Sequence, residues 1–171
     1  MNEALIAIIA EIRAGLNAYG YGEYPVLKAF QSSKQGRAVS GLYYNVTNVK
    51  NHGWQARRYN PVGKSAGHTE HQLYEATMRL TALVRDDRPI PSTDLAALAQ
   101  RIVNSLPFQE ALQKKGFGVQ RASAIVPLPI INEQDNYETE ASFTFNFTYT
   151  QSIAPDTGII DGLNIDGIMR I

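Results

Sequence analysis

The sequence predicts an α+β fold: a single domain with a mainly antiparallel sheet and helices packed on one of its faces. Three observations predict it. Tyr137, Thr139, Ala141, Phe143, Phe145, Phe147 and Tyr149 alternate with polar residues, the two-residue period of a strand buried on one side. Leu5, Ile8, Ile9, Ile12 and Leu16 recur at three- and four-residue spacing, as do Leu95, Leu98, Ala99, Ile102 and Val103, so the chain also holds amphipathic helices. With 171 residues, 44% of them apolar and 19% charged, the chain suits one domain with a continuous core.

In chain order, Asn2 to Asn17 reads as the first helix, ended by the glycines of Tyr19-Gly20-Tyr21-Gly22. Pro25 to Gln31 reads as a strand, and Gln31 to Arg37 as a polar turn. Ala38 to Val49 and Trp54 to Tyr59 read as two strands, with Asn51-His52-Gly53 as the turn between them. Asn60 to Gly67 holds Pro, Gly and Ser and is expected as an exposed loop. Glu70 to Arg85 carries two patterns. Tyr74, Ala76, Met78, Leu80, Ala82 and Val84 alternate as in a strand, whereas Leu73, Thr77, Leu80 and Val84 fit a helical face. The longer alternation favours the strand.

Pro91 to Ser105 is the clearest helix, with Ser92 or Thr93 as its expected cap and Asp94 in the first turn, where the helix dipole favours an anion. Pro107 to Lys115 adds a short helix ended by Gly116. Phe117 to Ile131 reads as a strand before the long aromatic one. Gly158 to Ile171 is apolar and punctuated by glycine. Such an end has to dock, on its own sheet or on a neighbour, which makes residues 156–171 a docking segment of the 1–171 domain.

The charges sum to zero but are unevenly placed. From Tyr24 to Thr69 there is no Asp or Glu, while Lys28, Lys34, Arg37, Lys50, Arg57, Arg58 and Lys64 give that stretch a charge of +7. The remainder carries the opposite excess. This asymmetry points to a basic surface that meets an acidic partner or phosphate. The plain alternative is a set of scattered surface cations.

Recognisable catalytic patterns are missing. The chain has no cysteine, which removes disulfides, thiolate metal sites and a Cys nucleophile. Gly63-Lys64-Ser65 has Arg58 where a phosphate-binding loop requires glycine. His68 and His71 are three apart, whereas the zinc-protease motif spaces its histidines by four. There is no Gly-x-Ser-x-Gly elbow. Asp86-Asp87 reads as a turn, and Glu138 and Glu140 as solvent-facing residues on a polar strand face. The expectation is a protein that is not an enzyme and takes no cofactor and no metal. No apolar run is long enough to span a bilayer and the N-terminus has no basic leader, so neither a membrane nor a secretory signal is expected. Tyr43, Tyr44, Trp54 and Tyr59 interleave with Lys50, Arg57 and Arg58, a composition that also suits a small nucleic-acid-binding module.

Several parts in order carry a family resemblance. They are the helix Leu5 to Leu16, the strand Gln72 to Arg85, the helix opening at Ser92-Thr93-Asp94-Leu95 and running to Asn104-Ser105, and the strand after Gly116-Phe117-Gly118-Val119. Asp135-Asn136-Tyr137-Glu138 then leads into Ala141 to Tyr149. In this order the chain resembles the phage neck and tail-terminator family of contractile-tailed phages, best over residues 70–155. The resemblance implies a virion protein acting as a subunit of a ring, commonly a hexamer. Such a ring ends the tail and joins it to the head connector. The implied partners are copies of itself, the tail tube, the sheath and the head–tail connector proteins. The implied locations are the virion neck and, during assembly, the host cytoplasm. Another neck component, for head closure or tail completion, is the alternative of the same kind.

Polarity and charge suggest the surfaces. Phe143, Phe145, Ile159, Ile160, Leu163, Ile165 and Ile168 are candidates for contact between subunits, with strand addition along Glu138 to Thr150. Lys34, Arg37, Lys50, Arg57, Arg58 and Lys64 are candidates for an acidic partner rim or for a lumen through which DNA passes.

Overall fold

The structure, a computed structural model, describes residues 1–29, 40–62, 65–85, 88–131 and 137–154. Helix α1 spans Asn2–Ala18 and buries Ala4, Ala7, Ile8, Ile9, Ile12 and Leu16, most of the stripe read from the sequence. It ends on a Schellman turn. Gly20 takes φ +82, its N–H reaches the Asn17 carbonyl at 3.0 Å, and the Tyr21 N–H reaches Leu16 at 2.9 Å.

The sheet has six strands: β1 (Val26–Lys28), β2 (Gly41–Val62), β3 (Ser65–Leu83), β4 (Gly118–Val119), β5 (Val126–Ile131) and β6 (Tyr137–Ile153). Their order is β1-β2-β3-β6, with β4 and β5 both on the outer side of β6. Every pairing is antiparallel except β1 with β2. Glu70 to Arg85 lies mostly in β3: alternation prevails over the helical pattern because β3 has a strand partner on each side.

Helices α2 (Ser92–Val103) and α3 (Leu106–Gln113) join α1 to cover the apolar face of the sheet. Cross-strand pairs Leu80↔Phe143, Met78↔Phe145 and Ala76↔Phe147 present that face, and Leu95, Ala99, Ile102 and Val103 of α2 are buried in the same core. The small Ala76, Ala82 and Ala141 are fully buried among larger core residues such as Met78, Leu80 and Phe143. Gly15 of α1 faces Ile102 so closely that an added Cβ would lie 2.6 Å from its Cγ2. A side chain there would push α1 away from α2.

Several sequence expectations are corrected. The two strands Ala38 to Val49 and Trp54 to Tyr59 are one strand, β2. Asn51 and His52 stay in the ladder, a bulge follows at Gly53 to Gln55, and the pairing of β2 with β3 runs on to Val62↔Ser65. Most of the expected loop Asn60 to Gly67 is therefore strand. The expected strand Phe117 to Ile131 is two short pieces, β4 and β5. The backbone between them still reaches β6, through Gln120 N–H to Asn146 at 2.9 Å and Ser123 N–H to Thr144 at 2.7 Å. Neither Ser92 nor Thr93 caps α2. Pro91 is the N-cap, and its carbonyl accepts from Asp94 at 3.1 Å and Leu95 at 3.2 Å. Ser105 does cap α3, accepting from the Phe108 N–H at 3.4 Å.

Candidate interaction surfaces

Strand β2 sets the geometry of the surface. At about 3.3 Å per residue, its 22 residues extend roughly 70 Å. A compact chain of this length has a radius of gyration of only about 15 Å. The hairpin of β2 and β3 therefore outruns the body. Among the described residues, strand β6 accompanies it as far as Glu70↔Ile153, and beyond that point Arg58 to Val62 pairs with Ser65 to Thr69 alone.

Near the start of this arm the ladder is interrupted. His52 pairs with Leu73 and Ala56 with His71, so Gly53, Trp54 and Gln55 stand opposite Gln72 alone. Gly53 takes φ +72, in the left-handed region that glycine enters without strain. The Gln72 side-chain amide donates to the carbonyls of His52 at 3.2 Å and Leu73 at 2.9 Å, which ties the bulge to the partner strand. Bulges re-aim side chains, and here Trp54 is 99% exposed. Sequence reading missed this residue's exposure because it took Gly53 as a turn. The glycine was the available signal.

Two cations of the arm pair across the ladder. Lys50 lies 3.0 Å from Glu75 and Arg57 2.9 Å from Glu70. In each pair the carboxylate is the inner group, with the lysine 56% and the arginine 59% exposed, so the positive end faces outward. Glu75 also accepts from Asn146 at 3.2 Å, and Glu70 contacts His68 at 3.2 Å and the Gln55 amide. Arg58 is exposed. His71 Nδ1 lies 2.7 Å from the Ser152 hydroxyl. The two histidines thus sit in separate contacts, and among the described residues no cluster of three metal-ligating side chains forms.

The sheet face away from the helices is polar and ordered. Thr77 Oγ1 donates to Asn146 Oδ1 at 2.8 Å, and Asn146 Nδ2 donates to Gln120 Oε1 at 3.2 Å. A cleft on this face is bounded by Tyr43, Asn45, Arg79, Thr81 and Glu140. A second runs beside α1, along Leu5, Ile6, Ile9, Lys28 and Tyr44, with Arg13 tied to the Val26 carbonyl at 2.8 Å. Tyr43 and Tyr44 are consecutive strand residues and point to opposite faces, so they do not form a joint stacking platform.

The sequence-derived candidates divide three ways. Phe143 and Phe145 are each 2% exposed and belong to the chain's own core, which corrects their assignment to a subunit interface. The reason is their register: their face of β6 is the one the helices cover. Strand addition along Glu138 to Thr150 is corrected as well, because β3 covers one edge of β6 while β4 and β5 cover the other. Among the described residues, the long edge without a strand partner on the other side of the sheet is that of β2 beyond Tyr44. Among the described residues, β1 pairs only with Leu42 to Tyr44, and the Ala29 N–H adds a bond to the Tyr44 carbonyl. Lys50, Arg57 and Arg58 share the arm. Lys34, Arg37, Lys64, Ile159, Ile160, Leu163, Ile165 and Ile168 lie outside the described residues.

Two phenols have raised pKa values. Tyr24 is buried, with Glu23 adding to the effect, and its hydroxyl has no hydrogen-bond partner among the described residues. Tyr149 is raised by burial first and by its neighbour Tyr74 second, the two rings stacking at 5.4 Å.

A helix-covered sheet with a projecting hairpin, Lys50 and Arg57 paired along its strands, defines a small α+β protein organised around outward-facing surfaces. The sequence model of the E217 gateway protein gp29 family matches residues 3–159, and the chain belongs to that family. It is a structural protein of the phage head–tail neck. No curated protein matches the chain.

Proposed function

We propose that the protein is a subunit of a closed ring, a hexamer, that ends the phage tail and joins it to the head connector. The family match over residues 3–159 carries this reading. A closed ring requires a heterologous contact, one surface of a subunit meeting a different surface of the next. A body with a projecting arm offers two such surfaces. The ring acts by binding and not by catalysis. Its other partners are the tail tube, the sheath and the connector proteins, with assembly in the host cytoplasm. The acid-free stretch from Lys28 to Lys64 faces an acidic rim or the passing DNA, and residues 156–171 dock on a neighbouring subunit.

The test is the mass of the purified protein by light scattering, alone and with tail tubes, followed by electron microscopy of tails made without it. The expected results are rings and, in the protein's absence, tails of uncontrolled length. Tails of normal length that fail to join heads would move it to a head-closure role. Deleting residues 156–171 is expected to weaken assembly at least about tenfold, a change near 1.4 kcal/mol. Unchanged assembly would remove the segment from the interface.

A further inference from the structure

The groove beside α1 joins apolar surface to positive charge. Leu5, Ile6, Ile9 and Tyr44 line it together with Arg13 and Lys28. Ile6 is 69% exposed and shares the groove with the half-buried Leu5 and Tyr44, so the apolar surface is a patch and not a single residue. The positive charge is uncompensated. The acids of α1, Glu3 and Glu11, do not line the groove, and Glu11 pairs with Lys115 at 2.9 Å. Arg13 donates to the Val26 carbonyl, a neutral group. Among the described residues neither Arg13 nor Lys28 has an ion-pair partner.

We propose that this groove receives residues 156–171 of a second copy of this chain. The proposal rests on the ring reading, which docks that segment on a neighbour, and it names the surface that takes it. Composition selects the occupant. Residues 156–171 lie outside the described residues, and their sequence sets large apolar side chains from Ile159 to Ile171 beside Asp156, Asp161 and Asp166, with Arg170 as the only cation. The apolar side chains match Leu5, Ile6 and Ile9, and the aspartates match Arg13 and Lys28 in sign. Reach selects the copy. Strand β6 ends at Ile153, ten residues along from Phe143, and Phe143 stands level with Tyr44 through Leu80. At about 3.3 Å per residue, the chain's own groove lies roughly 33 Å behind Ile153. Ile160 follows Ile153 by seven residues, which span at most about 25 Å. The head of the segment therefore falls short of its own groove. The groove of a neighbour carries no such limit, and a segment seated in the next copy's groove is a heterologous contact, the kind that closes a ring.

The chain has no cysteine, so introduced thiols react without background. The experiment uses the full-length protein carrying Ile6→Cys together with Leu163→Cys or Ile168→Cys. It is treated with a short bismaleimide where light scattering shows association, alone or on tail tubes. The expected result is a ladder of chains joined one to the next. Ile6→Asp should weaken association at least about tenfold, and Lys28→Glu should also weaken it. Far-UV circular dichroism of both should match the parent, because both side chains are exposed. A link formed within single chains would seat the segment on its own groove and overturn the proposal. Association that gives no link at either position would overturn the contact and leave the ring reading standing, whatever Ile6→Asp does. A ladder with association unchanged in Ile6→Asp would show that the groove is not the seat. A chain that stays monomeric at every concentration and on tail tubes would overturn both readings.

Discussion

The two ends of the β2–β3 hairpin are made of the same strands yet held by different physics. At the body end, Leu42, Met78, Leu80 and Ala82 lie under helices and beside Phe143 and Phe145. At the arm end, Lys50–Glu75, Arg57–Glu70 and the Gln72 amide tie the strands together, with the two cations in solvent. Burial of a large apolar side chain contributes about 1.5–3 kcal/mol, whereas an exposed ion pair contributes about 0–1 kcal/mol. The body therefore carries the stability, and the arm follows the body's register. A surface that must meet a partner can be held by weak, outward-facing contacts because a core elsewhere supplies the fold.

The largest test of that division is Phe147→Ala. Phe147 is fully buried and pairs with Ala76 at the centre of the core face. Its removal leaves a cavity and should cost about 3–5 kcal/mol, read as a lower urea midpoint with the slope unchanged. A cost below about 1 kcal/mol would mean that the core is not organised around β6.

Gly53→Val should have a smaller and local effect. At φ +72 a β-branched residue is strained, at about 1–2 kcal/mol. The division between body and arm requires this strain to relax within the bulge. Trp54 quenching should change while the global unfolding midpoint moves little. A global loss as large as that of Phe147→Ala would show that arm and body fold as one unit.

The same division governs how much of the molecule was legible in its sequence. The body was readable because a dry face imposes a period: Ala141 to Tyr149 and Leu95 to Val103 display theirs openly. The arm was not, because Thr47 to Arg58 is exposed on both faces and has no apolar alternation to display. Asn51-His52-Gly53 carries turn chemistry, and nothing local distinguishes a turn from a bulge. That choice depends on whether β3 continues alongside, a long-range fact. Phe143 and Phe145 were misassigned for the converse reason. Their pattern marked burial, and only the position of the helices shows that the burial is internal. Of the site, the cation set Lys50, Arg57 and Arg58 was visible as charge, while the isolation of Trp54 emerged only from the register.

The smallest effect concerns a flaw within the body. The Tyr24 hydroxyl is buried without a hydrogen-bond partner among the described residues, and an unsatisfied buried group is unfavourable by about 1–3 kcal/mol. Tyr24→Phe removes the group and keeps the ring, so stability at neutral pH should be unchanged or raised by up to about 1 kcal/mol. The pH dependence gives the sharper reading. Burial favours the neutral phenol and raises its pKa above the ordinary 10.0, so the unfolded chain releases this proton first. The resulting stabilisation is complete below pH 10 and is lost as pH rises through the folded value. The variant should therefore lose less stability than the parent between pH 10 and the folded pKa, with Tyr149 still contributing to both. Parallel pH profiles would mean that Tyr24 is solvated in solution. The edge of the sheet where β1 meets β2 would then belong, in its packing, with the arm and not with the body.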